Sequence, residues 1–366
     1  MGAGGLGRRS AAALRADIIE PLAFADNSTE RHGALVDDIR VLSPPEAARE
    51  FGARAVFVIA IWGANSRHRM AHSRDQLTRL GCDRVVTFAP LAWKYPGALL
   101  PHYLQDLPHK VLAGREAVRD ALGVWEDDAS RAEYVAQVRL RLLADFDGLA
   151  HPAKHPAYFP PDLYAWRTDE WIVDGGAYDG DTIRMLATLH GDRFGHVLAL
   201  EPDPANFARL QATAAALSNT AHARVDCRQI ALASARGTLQ LDATGTASSS
   251  TGTPTRATPG ATAGPAAISV PAERLDDLLG DGAPTLLKLD IEGAEPDALL
   301  GARETIRRHG PVLAICVYHR QDHLWSIPLM LREWRDDYAF FLRPHNEEGW
   351  DLVCYAVPRA RLWRTP

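Results

Sequence analysis

The residues best suited to chemistry lie where apolar segments end in the second half of the chain. The first such stretch, WIVDGGAYDGDT at 171–182, joins a short apolar run to a glycine-rich turn and then to helical spacing. Its glycines permit backbone conformations and close approaches that a side chain would block. A turn of this kind presents backbone amides to a ligand. We therefore predict a nucleotide-binding turn whose contact residues are Asp174, Gly175, Gly176, Ala177, Asp179 and Thr182.

Acidic residues around this turn separate two classes of nucleotide cofactor. The dinucleotide fingerprint G-x-G-x-x-G begins at Gly175, but Ala177 replaces its second glycine, where the backbone must approach a pyrophosphate. An anionic pyrophosphate would gain little from Asp174, Asp179 and Asp181, whereas a cofactor carrying sulfonium and ammonium groups is compatible with them. The turn therefore favours a cationic cofactor, with a dinucleotide site and a purely structural turn as the alternatives.

Two later segments place further acids at strand ends. In HVLALEPD, Glu201 ends a predicted strand at a distance from the turn that suits an acid accepting hydrogen bonds from a ribose diol, and Pro202 follows it. In TLLKLDIEGAE, Asp290 and Glu292 fall at the carboxyl edge of the predicted sheet, where open α/β folds bind ligands. Glu295 in the same segment fits the first turn of a helix equally well. Glu201, Pro202 and Asp290 join the predicted cofactor-binding residues.

These residues require a sheet that brings several strand ends together, and the sequence alternates strands and helices accordingly. Strands are predicted at 171–175, 196–201, about 225–231, 286–291, 312–318, 338–343 and 352–357, and helices near 181–190, 204–217, 295–309 and 324–336. The last two strands are separated only by HNEEGW, which is too short for a crossover helix, so an antiparallel hairpin is expected. The predicted fold class is α/β, with a seven-stranded Rossmann-like sheet that ends in this hairpin.

The length of 366 residues predicts two domains, because a single core usually stops growing below this size. AVFVIAIWG, the helix-like sequence after it and VVTFAPL indicate a βαβ unit ahead of the main sheet. We predict a flexible segment at 1–34, a smaller N-terminal α/β domain with a helical extension at 35–150, a linker at 151–168 and the second domain at 169–366. The run at 244–267 is almost wholly Thr, Ser, Gly, Ala and Pro, which predicts a mobile loop or a lid.

Composition restricts the classes of partner. The net charge of -6 and the pI near 6.2 argue against nucleic acid and against an acidic membrane surface. No segment approaches the ~20 apolar residues of a membrane span, and none of signal-peptide length follows the first residues. The four cysteines are widely spaced and are expected to be reduced core thiols. We therefore expect a cytoplasmic enzyme with a small-molecule substrate; the sequence carries no signal for an oligomeric state.

Four segments together resemble the FkbM family of S-adenosylmethionine-dependent methyltransferases, over roughly residues 165–358: VDGGAYDGDT, LEPDPANFARL, LLKLDIEGAE and LAICVYHRQDHLWSIP. The resemblance implies a methyltransferase sheet and transfer of a methyl group from S-adenosylmethionine, usually to a hydroxyl oxygen of a sugar, a glycan or a secondary metabolite. In the family's first motif, the acid that corresponds to Asp174 helps to position the cationic amino-acid end of the cofactor. The Gly-Gly-Ala-Tyr-Asp-Gly turn and the Ser/Thr/Pro insertion depart from the family pattern.

The predicted catalytic residues are His319, Asp290 and Glu292. His319 directly follows the apolar strand PVLAICVY, which places it at the carboxyl edge beside the Asp290 strand. An alcohol needs its proton removed during attack, and histidine titrates near neutral pH, so His319 suits a general base. Asp290 is the alternative base, or a carboxylate that fixes the histidine tautomer; a divalent metal held by Asp290 and Glu292 is a third arrangement, although no metal is predicted. A nicotinamide-dependent sugar oxidoreductase and an inactive carbohydrate-binding module are the alternative functions.

Overall fold

The computed structural model describes residues 1–64, 68–191, 193–217, 224–242, 250–251 and 267–363. Most of the segment at 244–267, which was predicted to be a mobile loop or a lid, lies outside these ranges. Within them, no helix is both long enough and apolar enough to cross a membrane. All four cysteines are free, as predicted for reduced thiols.

The N-terminal region carries only short strands and a succession of helices. Its strands are β1 Phe24–Ala25, β2 Leu35–Val36, β3 Ile39–Leu42, β4 Phe57–Ile59 and β5 Val85–Thr87, and its helices are α1 Gly5–Ala16, α2 Pro44–Phe51, α3 Met70–Arg79, α4 Ala89–Lys94, α5 Pro96–Leu99, α6 Pro108–Ala113, α7 Arg115–Leu122 and α8 Asp128–Leu143. Strands β4 and β5 are parallel and α3 lies between them in the chain, which matches the predicted βαβ unit. The domain boundaries drawn from the sequence stay predictions.

Residues 1–34, predicted to be a flexible segment, contain α1 and β1. The buried face of α1 is built mainly from small residues, which is why apolar periodicity did not indicate a helix there: Leu6, Gly7, Ser10, Ala11 and Ala13. The α-amino group of Met1 donates a hydrogen bond to the carbonyl oxygen of Val58 at 2.7 Å. The amide of Ala3 donates to the Asp26 carboxylate, also at 2.7 Å. The first residues are therefore packed against β4 and the start of the chain has defined contacts.

The second half of the chain forms the main sheet and a small accessory sheet. The strands are β6 Trp171–Gly175, β7 His196–Leu200, β8 Arg224–Arg228, β9 Ala231–Leu232, β10 Gly237–Asp242, β11 Ser250–Thr251, β12 Ala267–Glu273, β13 Leu286–Leu289, β14 Val312–Cys316, β15 Tyr338–Pro344 and β16 Leu352–Pro358, and the helices are α9 Asp181–His190, α10 Pro204–Leu217, α11 Leu275–Leu279, α12 Glu295–Gly301, α13 Arg303–His309 and α14 His323–Trp334. Three 3-10 helices lie at Thr29–Arg31, Glu347–Gly349 and Arg359–Arg361.

The main sheet has seven strands in the order β15-β16-β14-β13-β6-β7-β8. Strands β14, β13, β6, β7 and β8 are parallel, and β16 runs antiparallel to both β14 and β15. The α/β class, the seven strands and the terminal hairpin therefore agree with the sequence prediction. Strand β6 lies between β7 and β13, so the direction of winding reverses there, and the carboxyl ends beside it form the usual ligand crevice of open α/β sheets.

One predicted helix, at 295–309, is two helices in the structure. Helix α12 ends at Gly301, where an added Cβ would lie 2.0 Å from the carbonyl oxygen of Ala233. Helix α13 then begins anew, because the Asp276 carboxylate accepts hydrogen bonds from the amides of Glu304 at 3.2 Å and Thr305 at 2.8 Å. A carboxylate that binds first-turn amides stabilises a helix start, so the break comes from tertiary contacts and not from a helix-breaking residue.

Candidate functional site

The glycine-rich turn connects the end of β6 to the start of α9, at the carboxyl edge of the sheet. Gly176 has a φ of +75°, and a Cβ there would lie 1.9 Å from the carbonyl oxygen of Asp290. Gly180 has a φ of +87°, and a Cβ there would lie 2.7 Å from the Thr213 side chain. Only glycine fits either position without displacing its neighbours, because it tolerates positive φ and has no Cβ.

The turn does not present its amides to a ligand in the way that the sequence suggested. The amides of Gly176 and Ala177 both donate to the carbonyl oxygen of Leu200 at 3.0 Å. The amide of Tyr178 donates to the Glu201 carboxylate at 2.9 Å. These three N–H groups are therefore used within the protein. Dinucleotide sites bind the pyrophosphate with such amides, so this arrangement disfavours the nicotinamide alternative.

Asp174 forms a buried ion pair and lies beneath the turn. Its carboxylate is 2.9 Å from Nζ of Lys288, and both side chains are almost completely buried. Nζ of Lys288 also donates to the carbonyl oxygens of Gly176 at 2.6 Å and Gly175 at 3.3 Å. Burial alone would lower the pKa of Lys288, but the nearby carboxylates, Asp174 foremost, outweigh it and raise that pKa. Asp174 thus holds the lysine, and direct contact with a cofactor, as the sequence predicted, is not part of this geometry.

Glu201 follows β7 and is held from two sides. Its Oε2 accepts the Tyr178 amide, and its Oε1 accepts the Asp203 amide at 2.9 Å and the Asn206 side chain at 3.4 Å. Burial is the main cause of a raised pKa for this carboxyl. A carboxylate has about four lone-pair sites, so Glu201 keeps capacity for further donors. Its position agrees with the predicted role as acceptor from a diol.

A cluster of acids surrounds His319 between the ends of β13 and β14. Nδ1 of His319 is 2.8 Å from Oε1 of Glu295, and its Nε2 is 3.3 Å from Oδ1 of Asp290. Glu292 is 3.9 Å from the same Nε2 and has a φ of +55°, an uncommon conformation for a glutamate. Glu295 also accepts the amide of Ile291 at 2.9 Å, so it combines the predicted helix-start role with a contact to the histidine.

The electrostatics of this cluster argue against His319 as a general base. Burial works against the charged imidazole, but the carboxylates of Glu295 and Glu292 outweigh it and raise the pKa of His319 to about 9. A histidine with this pKa is protonated at neutral pH and cannot accept a proton. The side chain of His319 is only 1% exposed. The raised pKa disfavours the base role of His319, which stays a prediction.

A cavity of about 400 Å³ lies at this edge of the sheet. Of the predicted residues, Gly176, Glu201, Pro202, Asp290 and Glu292 line it. The remaining predicted residues lie behind its wall or beside it: Asp174, Gly175, Ala177, Asp179, Thr182 and His319. Asp179 instead forms an exposed ion pair with Arg184 at 2.6 Å, and Gly175 packs against Leu289. The structure thus brings both predicted acid clusters to one cavity while placing most of the glycine turn underneath.

Sequence reasoning missed several residues that line the cavity. Lys288 could have been identified from the sequence, because a single lysine within a buried apolar strand requires a charged partner. Asp181 directly follows the turn and lines the cavity, although the sequence argument used only its negative charge. Asp351, whose pKa is raised to about 6 chiefly by burial, and the rings of Tyr103 and Trp350 reach the cavity from distant parts of the chain. No local pattern marks these last three residues.

The loop between β15 and β16 carries Trp350 and Asp351 to the cavity. The N-terminal region contacts this loop at Glu348, whose carboxylate accepts the amide of Met70 and whose carbonyl oxygen accepts the indole N–H of Trp62 at 3.3 Å. The rings of Trp62 and Trp350 have centroids 4.9 Å apart. One wall of the cavity is therefore positioned by the first third of the chain.

Comparison with known proteins gives a family for the second half of the chain. Residues 174–342 match the methyltransferase FkbM domain. The crystal structure of methyltransferase FkbM from Methylobacillus flagellatus KT is similar, with a TM-score of 0.78 and 23% identity over 97% of this chain and 88% of that one. A putative rRNA-methylase from Clostridium thermocellum gives a TM-score of 0.31 and 12% identity, over 53% of this chain and 89% of that one. Curated proteins gave no significant match. Residues 174–342 therefore match the methyltransferase FkbM domain, which supports a methyltransferase role, and the solved structure shows the same fold.

Proposed function

We propose that the protein is a cytoplasmic S-adenosylmethionine-dependent O-methyltransferase that acts on a hydroxyl group of a sugar, a glycan or a secondary metabolite. The observation that carries the proposal is one cavity that spans the carboxyl ends of β6, β7 and β13 in a seven-stranded α/β sheet. Glu201 and Gly176 lie at the β6 and β7 end, which we assign to the cofactor. Asp290 and Glu292 lie at the β13 end, which we assign to the acceptor.

The residues at the β7 end fit S-adenosylmethionine. The volume of about 400 Å³ is in the range of pockets that enclose small ligands. Glu201 retains acceptor capacity for a ribose diol, and Gly176 lets the backbone approach closely. Asp181 adds a second carboxyl to this wall, while the charge of Lys288 is paired with Asp174. The resulting negative character suits a cofactor that carries sulfonium and ammonium groups.

At the other end, Asp290 and Glu292 are the predicted catalytic side chains that reach the cavity. Their carboxylates are 25% and 17% exposed, so an acceptor hydroxyl can contact them. S-adenosylmethionine, when bound, supplies an electrophilic methyl group. The protein's task is to hold the hydroxyl and to take its proton as the oxygen attacks, which suits a carboxylate. The hydroxyl of Tyr158 donates to Oδ2 of Asp290 at 2.8 Å and holds this carboxylate, and Nε2 of His319 lies 3.3 Å from its Oδ1.

Aromatic rings beside these acids support a sugar or another polyhydroxylated acceptor. Tyr103 and Trp350 pack edge to face with centroids 4.5 Å apart, and Tyr318 is 5.9 Å from Trp350. All three rings line the cavity with Asp351. The faces of aromatic rings pack against the C–H groups of a sugar, and carboxylates accept hydrogen bonds from its hydroxyl groups. This wall of the cavity therefore offers a partner to both kinds of group.

The test begins with calorimetry of the purified full-length protein against S-adenosylhomocysteine and, separately, NADH. We expect the first to bind and the second not to bind. Binding of NADH alone would favour the oxidoreductase, and binding of neither would favour the inactive carbohydrate-binding module. Incubation with an isotopically labelled methyl donor and a panel of glycans and metabolites, followed by mass spectrometry, then identifies a product heavier by one CH₂ group.

A pair of variants tests the assignment of the acceptor end. Asp290→Asn should lower turnover by ~10²–10⁴-fold while S-adenosylhomocysteine affinity stays within a few-fold, as expected for loss of acid–base chemistry. The matched control is Glu126→Gln, which removes an exposed carboxylate paired with Arg359 at 2.8 Å. Its turnover should equal that of the wild type. Normal turnover of Asp290→Asn would remove Asp290 from the catalytic assignment.

A further inference from the structure

We infer that His319, Asp290 and Glu292 form a binding site for a divalent metal ion at the acceptor end of the cavity. The inference goes beyond the methyltransferase assignment and stands on the geometry of these three side chains. Two of them line the cavity, and the third lies directly behind it.

The first observation is a buried nitrogen without a hydrogen bond. The His319 side chain is 1% exposed, and its Nε2 forms no hydrogen bond. That atom faces Oδ1 of Asp290 at 3.3 Å and Oε2 of Glu292 at 3.9 Å. Buried polar atoms nearly always form hydrogen bonds, so a nitrogen that lies near two carboxylates without a hydrogen bond to either is a candidate position for a bound ion.

The separations fit a single ion. Two donor atoms that each lie ~2.1 Å from one metal ion can be at most ~4.2 Å apart. The Nε2 to Asp290 and Nε2 to Glu292 distances of 3.3 Å and 3.9 Å are both within this limit. Each of the two carboxylate oxygens is therefore close enough to Nε2 for the pair to share one ion.

The other side of the histidine is arranged as metal-binding histidines usually are. Nδ1 of His319 is 2.8 Å from the fully buried carboxylate of Glu295. A carboxylate at one ring nitrogen holds a proton there, so an ion that displaces the proton from Nε2 would bind a neutral imidazole of fixed orientation. Glu295 is itself held by the amides of Ile291 at 2.9 Å and Gly293 at 3.4 Å, so the ring orientation is well defined.

The negative charges that line the cavity also favour a bound cation. Asp290, Glu292 and Asp351 line the cavity together with Lys288, whose ammonium is paired with Asp174 at 2.9 Å. A divalent ion would neutralise the carboxylates and give an acceptor hydroxyl a coordination position beside the methyl donor. One imidazole and two carboxylates suit a first-row divalent ion such as Mn²⁺.

The experiment measures Mn²⁺ binding itself, so its result is independent of methyl transfer. Full-length protein is stripped with a chelator and titrated with Mn²⁺, with and without S-adenosylhomocysteine, while free Mn²⁺ is followed by electron paramagnetic resonance. We expect one ion per chain. His319→Ala and Glu292→Gln should each weaken binding by about tenfold or more. His151→Ala is the matched control, because His151 is a 78% exposed histidine near the Glu347 carboxylate, and its affinity should equal that of the wild type.

Glu292→Gln keeps the inference testable if the buried His319 variant does not fold, because Glu292 is part-exposed and the change is conservative. The inference is overturned if the wild type binds no Mn²⁺ at millimolar concentration in either condition. It is also overturned if Glu292→Gln, with a wild-type thermal midpoint, binds Mn²⁺ as tightly as the wild type does.

Discussion

Replacing Asp174 by Asn tests whether this residue serves the fold or the cofactor. The change would leave the Lys288 ammonium, 2% exposed, without its carboxylate partner; the carbonyl oxygens of Gly176 and Gly175 and the ring of Tyr158 would remain beside it. Removing one member of a buried ion pair typically costs about 3–5 kcal/mol. The remaining carbonyl contacts favour the lower end, about 3 kcal/mol, which corresponds to a fall in Tm of roughly 6–12 °C at ~2–4 °C per kcal/mol.

Thermal unfolding followed by circular dichroism measures this effect in Asp174→Asn, Lys288→Met and the double variant. The double variant has no unpaired buried charge. Its loss of unfolding free energy should therefore be about 2 kcal/mol smaller than the sum of the losses in the two single variants. The control is Glu126→Gln, at an exposed pair, which should cost ~1 kcal/mol or less. A wild-type Tm for Asp174→Asn, or additive single effects, would refute the structural role.

Three further predictions concern the cofactor end, the glycine turn and pH. Glu201→Gln should weaken S-adenosylhomocysteine binding about tenfold or more in calorimetry, because hydrogen bonds to a charged group contribute ~1.5–3 kcal/mol. The control Asp169→Asn, at an exposed ion pair with Arg167, should change the affinity by less than about threefold, and equal effects would contradict the assignment. Gly176→Ala should lower the Tm more than Gly191→Ala. Both glycines have positive φ, but only the methyl group added at Gly176 would clash with a carbonyl oxygen. Equal losses in Tm would show that backbone strain from the positive φ accounts for the whole effect. Burial raises the pKa of Glu348 from 4.5 to about 7, so the folded state loses stability as pH rises through this window and the carboxyl ionises. Glu348→Gln should therefore raise the Tm near pH 8 and not near pH 4. An equal gain in Tm at both pH values would contradict this prediction.

The strands of the main sheet were predictable because buried parallel strands are continuous apolar runs bounded by turn residues. Strand β6, helix α9 and helix α10 have the predicted bounds, and β13 ends two residues early, just before Asp290. Helix α1 was not predictable, because its buried face is made of small residues. Strands β9 to β12 were missed as well; β10 and β12 flank the Ser/Thr/Pro-rich run and β11 lies within it.

At the site, sequence reasoning identified which acids matter better than it identified what they do. Lys288 and Asp174 are direct partners across the β13 and β6 ladder, so their pairing depends on strand register, which a single sequence does not specify. The raised pKa of His319 depends likewise on three carboxylates that only folding brings together. Tyr103 and Asp351 are separated from the motifs by long stretches of chain and could be placed only by the structure.

The contact between the N-terminal region and the β15–β16 loop has an evolutionary consequence. Glu348 is anchored by Met70 and Trp62, and two residues further along the chain Trp350 faces the cavity. Substitutions in the first third of the chain can therefore reshape the acceptor wall through this loop while Glu201 and the glycine turn stay under their own selection. If the proposed function holds, the acceptor specificity can in this way change without rebuilding the part of the cavity that we assign to the cofactor.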